Sequence, residues 1–237
     1  MSARKRVLVV GAGGLGCPAL LGLGAALERA GASVCIADDD VVDLSNLQRQ
    51  VLHRTEDVGR LKIDSAQDAL ERRFPRLAIE TCQARVSAAN VDRLVHAFDV
   101  VLDGSDSLET KFLLNDTCVD HGVPLVHGGV VRMSGQLMSV VPGYACYRCL
   151  FEAPPEDEVA SCQDAGILGA VAGVIGALMA EEALRILAGE PALAGTLLVY
   201  DALRPESENR RLVKVRPRPD CDTCGTLSSE KRQVRVS

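Results

Sequence analysis

The feature that most constrains this chain is a short glycine run, Gly11-Ala12-Gly13-Gly14-Leu15-Gly16, placed directly behind the apolar stretch 7–10. The spacing is G-x-G-x-x-G, between a β-branched run that reads as a buried strand and a segment that reads as a helix. Such a unit belongs to a parallel sheet. Its first glycine permits a tight turn, and its second lets backbone N–H groups approach a phosphate. The helix N-terminus adds a field that favours an anion. Asp38 closes the next strand, where an acid accepts hydrogen bonds from ribose hydroxyls. Gly11, Gly13, Gly14, Gly16 and Asp38 are therefore candidate nucleotide-binding residues. Taken alone they specify only a nucleotide; NAD and FAD stay open, as does a turn needed merely for helix–strand packing.

The rest of the chain alternates between strand and helix patterns. Strands are expected at 7–10, 33–37, 78–83, 99–102, 125–127 and 136–141, and again at 196–200 and 211–215. Helices are expected at 18–30, 61–73, 89–97 and 108–121. This predicts an α/β fold: a Rossmann-like doubly wound, mostly parallel sheet, a C-terminal antiparallel extension and a zinc-knuckle site. The expected organisation is a single nucleotide-binding domain over 1–225 and a flexible tail over 226–237. Residues 165–180 carry no charge, yet the stretch is shorter than the roughly 20 residues a spanning helix needs and holds Gly166, Gly169, Gly173 and Gly176. It reads as a buried helix in close contact with a sheet or a second subunit, not as a membrane segment.

A second polar segment separates the nucleotide readings. Ser45, Asn46 and Arg49 lie in Leu44-Ser45-Asn46-Leu47-Gln48-Arg49-Gln50, and Lys62 opens the following helix. A triphosphate carries about four negative charges and needs donors beyond a glycine loop, whereas a dinucleotide pyrophosphate needs fewer. Asp106, in the loop after the fourth strand, stands where a carboxylate can hold Mg²⁺ beside phosphates. A helix N-cap is the other use for it, with Ser105 or Ser107 as competing caps.

Composition narrows the function classes. The net charge is −6 and aromatic residues make up 3% of the chain, which argues against a basic nucleic-acid-binding face or a base-stacking platform. The N-terminus has no signal-peptide pattern, so a cytoplasmic setting is expected. Nine cysteines then read as thiols plus a metal site and not as a disulfide framework. Cys146 and Cys149 form one C-x-x-C pair, and Cys221 and Cys224 form another. Four thiolates suit a tetrahedral, structural Zn²⁺. Cys17, Cys35, Cys82 and Cys118 read as small buried hydrophobes.

With these motifs in order, the chain resembles the MoeB/ThiF family, relatives of ubiquitin-activating enzymes. The resemblance runs from about Arg6 to Gly225. It rests on GAGGLG from Gly11, DLSNLQRQ from Asp43, VGRLKIDSA from Val58, Asp106, Arg132-Met133-Ser134-Gly135-Gln136 and the two cysteine pairs. It implies an ATP-dependent adenylyltransferase. Such an enzyme joins the C-terminal glycine carboxylate of a ubiquitin-like sulfur-carrier protein, ending in Gly-Gly, to AMP and releases pyrophosphate, for sulfur transfer in molybdopterin or thiamine synthesis. Gly14 and Asp38 would bind the nucleotide, Asn46, Arg49 and Lys62 the triphosphate, and Asp106 the Mg²⁺. Cys162 would be the thiol able to form a covalent link with the carrier. A homodimer and a separate sulfur donor are also implied.

The sequence departs from the family at Ser107, where Asn is usual, and at Lys111, where Arg is common. The family's N-terminal arginine, given to a partner's phosphates, would have to come from Arg4, Lys5 or Arg6. A catalytically silent scaffold, a tRNA-modifying dehydratase relative and an NAD oxidoreductase are the competing readings.

Overall fold

The structure, a computed structural model, describes residues 4–153 and 166–225. One eight-stranded sheet runs through the described residues in the order β3-β2-β1-β4-β5-β6-β7-β8. The first five strands are β1 (Arg6–Val10), β2 (Ser33–Ala37), β3 (Ala78–Cys82), β4 (Val100–Asp103) and β5 (Leu125–Val131). They pair in parallel. The last three are β6 (Ser134–Val140), β7 (Thr196–Asp201) and β8 (Arg210–Lys214), and they continue the sheet antiparallel. The expected fold class holds, with the antiparallel extension where it was placed.

Helices cover both faces, because the parallel strands are apolar on both sides. On one face Val7, Val9, Ile36 and Leu102 pack against α1 (Gly16–Ala30), α2 (Lys62–Arg73) and α6 (Gly169–Leu187). On the other, Leu8, Val10, Val101 and Leu125 meet α3 (Val91–Val95) and α4 (Leu108–His121). The short helix α5 (Tyr147–Leu150) starts directly after Cys146 and contains Cys149. Both α1 and α4 end on a left-handed glycine, Gly31 (φ 63°) and Gly122 (φ 65°), the usual helix stop.

Two expectations are corrected. The strand expected to end at His127 runs on to Val131, through Gly128 and Gly129. These glycines are not turn signals. A Cβ at Gly128 would stand 2.3 Å from Met179 Sδ, and one at Gly135 2.3 Å from Ile175 Cγ1, so glycine is what lets α6 lie against β5 and β6. The glycine-rich helix itself begins at Gly169 and runs to Leu187, past the charged pair Glu181-Glu182. Glu182 fits inside because it is buried with partners: it accepts from Ser139 Oγ at 2.8 Å and from Leu193 N at 2.9 Å.

The sheet order places β1 between β2 and β4. The chain first winds outward to β2 and β3 and then returns to the other side of β1. At such a switch point the loops after the two central strands diverge and leave a crevice for a ligand. Here they are the glycine loop and residues 104–107. No helix among the described residues is long and apolar enough to cross a membrane.

Candidate active site

The glycine loop is tight because its glycines are. Gly11 has φ 89°, and a Cβ on Gly16 would lie 1.7 Å from Gly11 O. Asp38 buttresses the loop: its Oδ2 accepts from Ala12 N at 2.7 Å and its Oδ1 from Asp40 N at 2.8 Å. Burial pushes the Asp38 pKa up, against the pull of Lys62 and of those two N–H groups.

The segment after β2 folds into two 3₁₀ turns (Leu44–Asn46 and Thr55–Asp57) and a bridge between Val41 and Leu61. Asp43 caps the first turn, accepting from Ser45 N and Ser45 Oγ. Those bonds hold its carboxyl below the ordinary range. The turn aims Asn46 and Arg49 together; Arg49 Nη2 donates to Asn46 Oδ1 at 2.5 Å. Lys62, almost fully buried at the start of α2, donates to Asp40 Oδ2 at 2.7 Å.

These groups line a polar cavity of about 540 Å³, bounded by Asp40, Asp43, Ser45, Asn46, Gln48, Arg49 and Lys62 and closed by Gly166 and Ile167. The cavity adjoins the glycine loop. A Cβ on Gly14 would touch the Arg49 side chain at 3.4 Å, and one on Gly13 would approach Gln50 Nε2 at 3.7 Å. The structure thus brings together the glycine loop, Asp38, Ser45, Asn46, Arg49 and Lys62, which the sequence separates by up to 51 positions.

Asp106 is placed less centrally. The fourth strand ends at Asp103, and Asp106 follows it in an exposed position outside that cavity. Its loop does border the glycine turn: Gly104 N donates to Val10 O, and a Cβ on Gly11 would lie 3.4 Å from Ser105 N. The cap of α4 is Ser107, which accepts from Thr110 N, so Asp106 is free of that task.

The strand-end acid the sequence reading missed is Asp103, fully buried. It accepts from Lys111 Nζ at 3.0 Å, Ser105 Oγ at 2.6 Å and His127 Nδ1 at 2.8 Å. Burial alone would raise its pKa, but Lys111 and His127 outweigh that and hold the carboxyl well below the usual range. Lys111 also donates to Gly128 O at 2.7 Å, so the residue that departs from the family pattern serves inside the fold. His127 lies against Tyr147, ring centroids 4.6 Å apart and the planes tilted by 41°. Tyr147 stands between Cys146 and Cys149 in the sequence.

The two cysteine pairs meet. Cys146 Sγ lies 4.0 Å from Cys149 Sγ and 3.6 Å from Cys221 Sγ, and Cys149 Sγ lies 3.3 Å from Cys224 Sγ. A tetrahedral ion with Zn–S bonds near 2.3 Å separates its sulfurs by about 3.8 Å, so the donor set fits Zn²⁺. The pairs are not oxidised to disulfides. Arg218 N points at Cys149 Sγ from 3.4 Å. Burial raises the Cys146 and Cys224 thiols, whereas at Cys221 the N–H groups of Cys224 and Thr223 outweigh burial and lower the thiol; a metal's charge would draw all of them toward thiolate. Of the other cysteines, Cys17, Cys35 and Cys118 are buried and Cys82 partly so. Cys162 lies outside the described residues.

Arg4, Lys5 and Arg6 each have a partner within the chain. Arg4 donates to Ala32 O, Lys5 pairs with Asp99 and Arg6 with Glu80. They lie at the start of β1, the end of the sheet opposite the glycine loop. The reason is local: the strand begins at Arg6, and a carbonyl, Asp99 just before β4 and Glu80 on β3 meet the three cations there.

Comparison with known proteins decides the family. The ThiF family pattern matches residues 2–223. The chain belongs to the ThiF family. Among curated ThiF relatives, it is 45% identical over 223 residues to the SAMP-activating enzyme E1 of Haloferax volcanii, covering 93% of this chain and 80% of that one. It is 46% identical over 226 residues to "Adenylyltransferase and sulfurtransferase MOCS3" of Anopheles gambiae, and spans 50% of that protein's length. The sulfur carrier protein adenylyltransferase of Thermus thermophilus is 42% identical over 241 residues, with 98% and 86% covered. Among solved structures, E. coli MccB with AMPCPP and SeMet MccA superposes with a TM-score of 0.78 at 21% identity, covering 93% of this chain and 66% of that one. That likeness establishes the ThiF fold.

Proposed function

We propose that this protein is an ATP-dependent adenylyltransferase that activates the C-terminal glycine carboxylate of a ubiquitin-like sulfur carrier. The observation that carries the reading is the convergence of Asn46, Arg49 and Lys62 on one polar cavity beside the glycine loop and Asp38. Arg49 and Lys62 add two cationic donors beyond the glycine loop; each now rests on a neighbour, Asn46 and Asp40, and can turn to a triphosphate. The names of the relatives agree with it.

In the reaction a carboxylate oxygen of the carrier attacks the α-phosphorus of ATP. The bond from that phosphorus to the bridging oxygen breaks, and pyrophosphate leaves. The carboxylate is ionised at neutral pH, so no general base is required. The protein's work is to hold two anions in line and to offset their charge. Asp38 takes the ribose, and Gly13 and Gly14 offer backbone N–H groups to phosphate. Arg49, Asn46 and Lys62 bind the triphosphate, with Ser45 fixing the turn that aims them. Asp106 is the carboxylate at hand for Mg²⁺, an ion that spreads phosphate charge during transfer. Cys146, Cys149, Cys221 and Cys224 would hold a structural Zn²⁺, with four protein ligands and no open position for chemistry.

The homodimer and the separate sulfur donor belong to the same proposal, as does a covalent role for Cys162. Gly173 has open space where its side chain would be, leaving one side of α6 accessible to a second copy.

The test is ATP–pyrophosphate exchange with purified candidate carriers. Exchange that needs both ATP and a carrier with an intact C-terminal Gly-Gly supports the reading. A chain that binds ATP yet exchanges with no carrier would turn it into a silent scaffold.

A further inference from the structure

We infer that His53 is a positioning residue for the nucleotide site, acting through the Ala12 carbonyl to set the direction of the phosphate-binding N–H of Gly13. This rests on the nucleotide reading above. The geometry starts from a buried imidazole. His53 is 6% exposed, its Nε2 lies 2.8 Å from Ala12 O and its Nδ1 lies 2.9 Å from Ser65 Oγ. A carbonyl oxygen only accepts, so Nε2 carries the proton. Nδ1 of the neutral ring is then an acceptor facing the Ser65 hydroxyl, whose proton it shares with Asp57. Burial lowers the His53 pKa, in keeping with a neutral ring.

The consequence follows from the planar trans peptide. In such a unit the C=O of one residue and the N–H of the next point in opposite directions. The Ala12 carbonyl is drawn inward, to His53 and also to Cys17 Sγ at 3.2 Å. The Gly13 N–H must then point outward, away from the core. The same loop is held on its other side by Asp38, which accepts from Ala12 N. A loop made of glycines has little conformational preference of its own, so these two side chains supply what the residues lack. Ser65 stands one turn along α2 from Lys62. His53 therefore ties the glycine loop, the basic segment and the helix bearing Lys62 into one frame, and fixes the phosphate donors relative to one another before ATP arrives.

Three variants test this: His53→Leu, which keeps bulk but removes the donor; His53→Gln, whose amide N–H can reach toward Ala12 O; and Ser65→Ala, a small change in the same chain of bonds. Binding of a fluorescent ATP analogue and the KM and kcat of pyrophosphate exchange are measured with melting temperature. The expected result is a KM for ATP raised about tenfold in His53→Leu and about threefold in Ser65→Ala, with kcat changed less. His53→Gln should recover most of the loss. A wild-type protein that fails to bind the ATP analogue overturns the nucleotide reading and this inference with it. If the wild-type protein binds the analogue, His53→Leu and Ser65→Ala with unchanged ATP affinity and lowered melting temperatures reduce His53 to a core residue and leave the nucleotide reading intact. Should His53→Leu fail to fold, Ser65→Ala and His53→Gln still decide the matter by the same two readings.

Discussion

The nucleotide cavity and the four-cysteine cluster are both built from loops, yet they are held in opposite ways. In the cavity every charged group already has a companion from the chain: Lys62 rests on Asp40, Arg49 on Asn46, Asp38 on backbone N–H groups. Its shape is set before any ligand binds. The cluster gathers four sulfurs within 4.8 Å of one another, and as thiolates they repel. N–H groups of Arg218, Cys224 and Thr223 offset part of that, and a bound cation would offset the rest. One site is preorganised for a ligand that comes and goes; the other would be completed by an ion. Activity should therefore depend on single side chains in the first, and stability on the metal in the second.

The sharpest way to break this comparison is Lys62→Ala. Loss of a pre-placed charge should cut pyrophosphate exchange about 10²-fold or more, while melting temperature hardly moves. A variant that exchanges normally would remove Lys62 from the site. Chelation of the metal should do the reverse. Melting temperature should fall by about 5 °C or more, equivalent to roughly 2 kcal/mol for a chain of this size, with ATP affinity changed less. Metal analysis finding no zinc, alongside four titratable thiols in the native protein, would end the zinc reading.

A smaller effect is expected at Asp40. Its side chain is 67% exposed, so water screens its hold on Lys62. Asp40→Asn should lower the KM for ATP by about threefold, since a competing carboxylate leaves the cavity. A rise would show instead that Asp40 aims Lys62 productively. The smallest effect concerns pH. His53 and His127 both have pKa values lowered first by burial. Between their folded values and the ordinary value near 6.5 the unfolded chain binds more protons. Stability should decline as pH falls below about 6.5, and His53→Gln should flatten part of that slope in a melting series.

How much of this was legible follows from distance along the chain. The glycine loop, Asp38, Ser45, Asn46, Arg49 and Lys62 lie within one stretch of 52 residues with strong local patterns, and the last four line one cavity beside the first two. The cysteine pairs were legible through their own spacing. Asp103 was passed over for Asp106 because an acid in an apolar strand looks like strand end. Its value lies in Lys111 and His127, which only the folded sheet brings to it. His53 was invisible for the same reason, as its partner Ala12 is 41 residues away. Gly128 and Gly135 misled because a glycine that stops a strand and one that admits a helix look alike in sequence.

The cysteine closure has a consequence for the order of assembly. Cys146 and Cys221 are 75 residues apart, and joining ends at that separation costs on the order of 4 kcal/mol of chain entropy. During synthesis the residues of the nucleotide cavity up to Lys62 leave the ribosome long before Cys221 and Cys224 do. The parallel strands can pair while the last two sulfurs are still inside the tunnel. A bound metal would then be a late clasp, closing on a sheet that is already there. Tyr147, between Cys146 and Cys149 in sequence, links that clasp to the earlier-made part of the fold through its ring contacts with His127, Phe112 and Phe151.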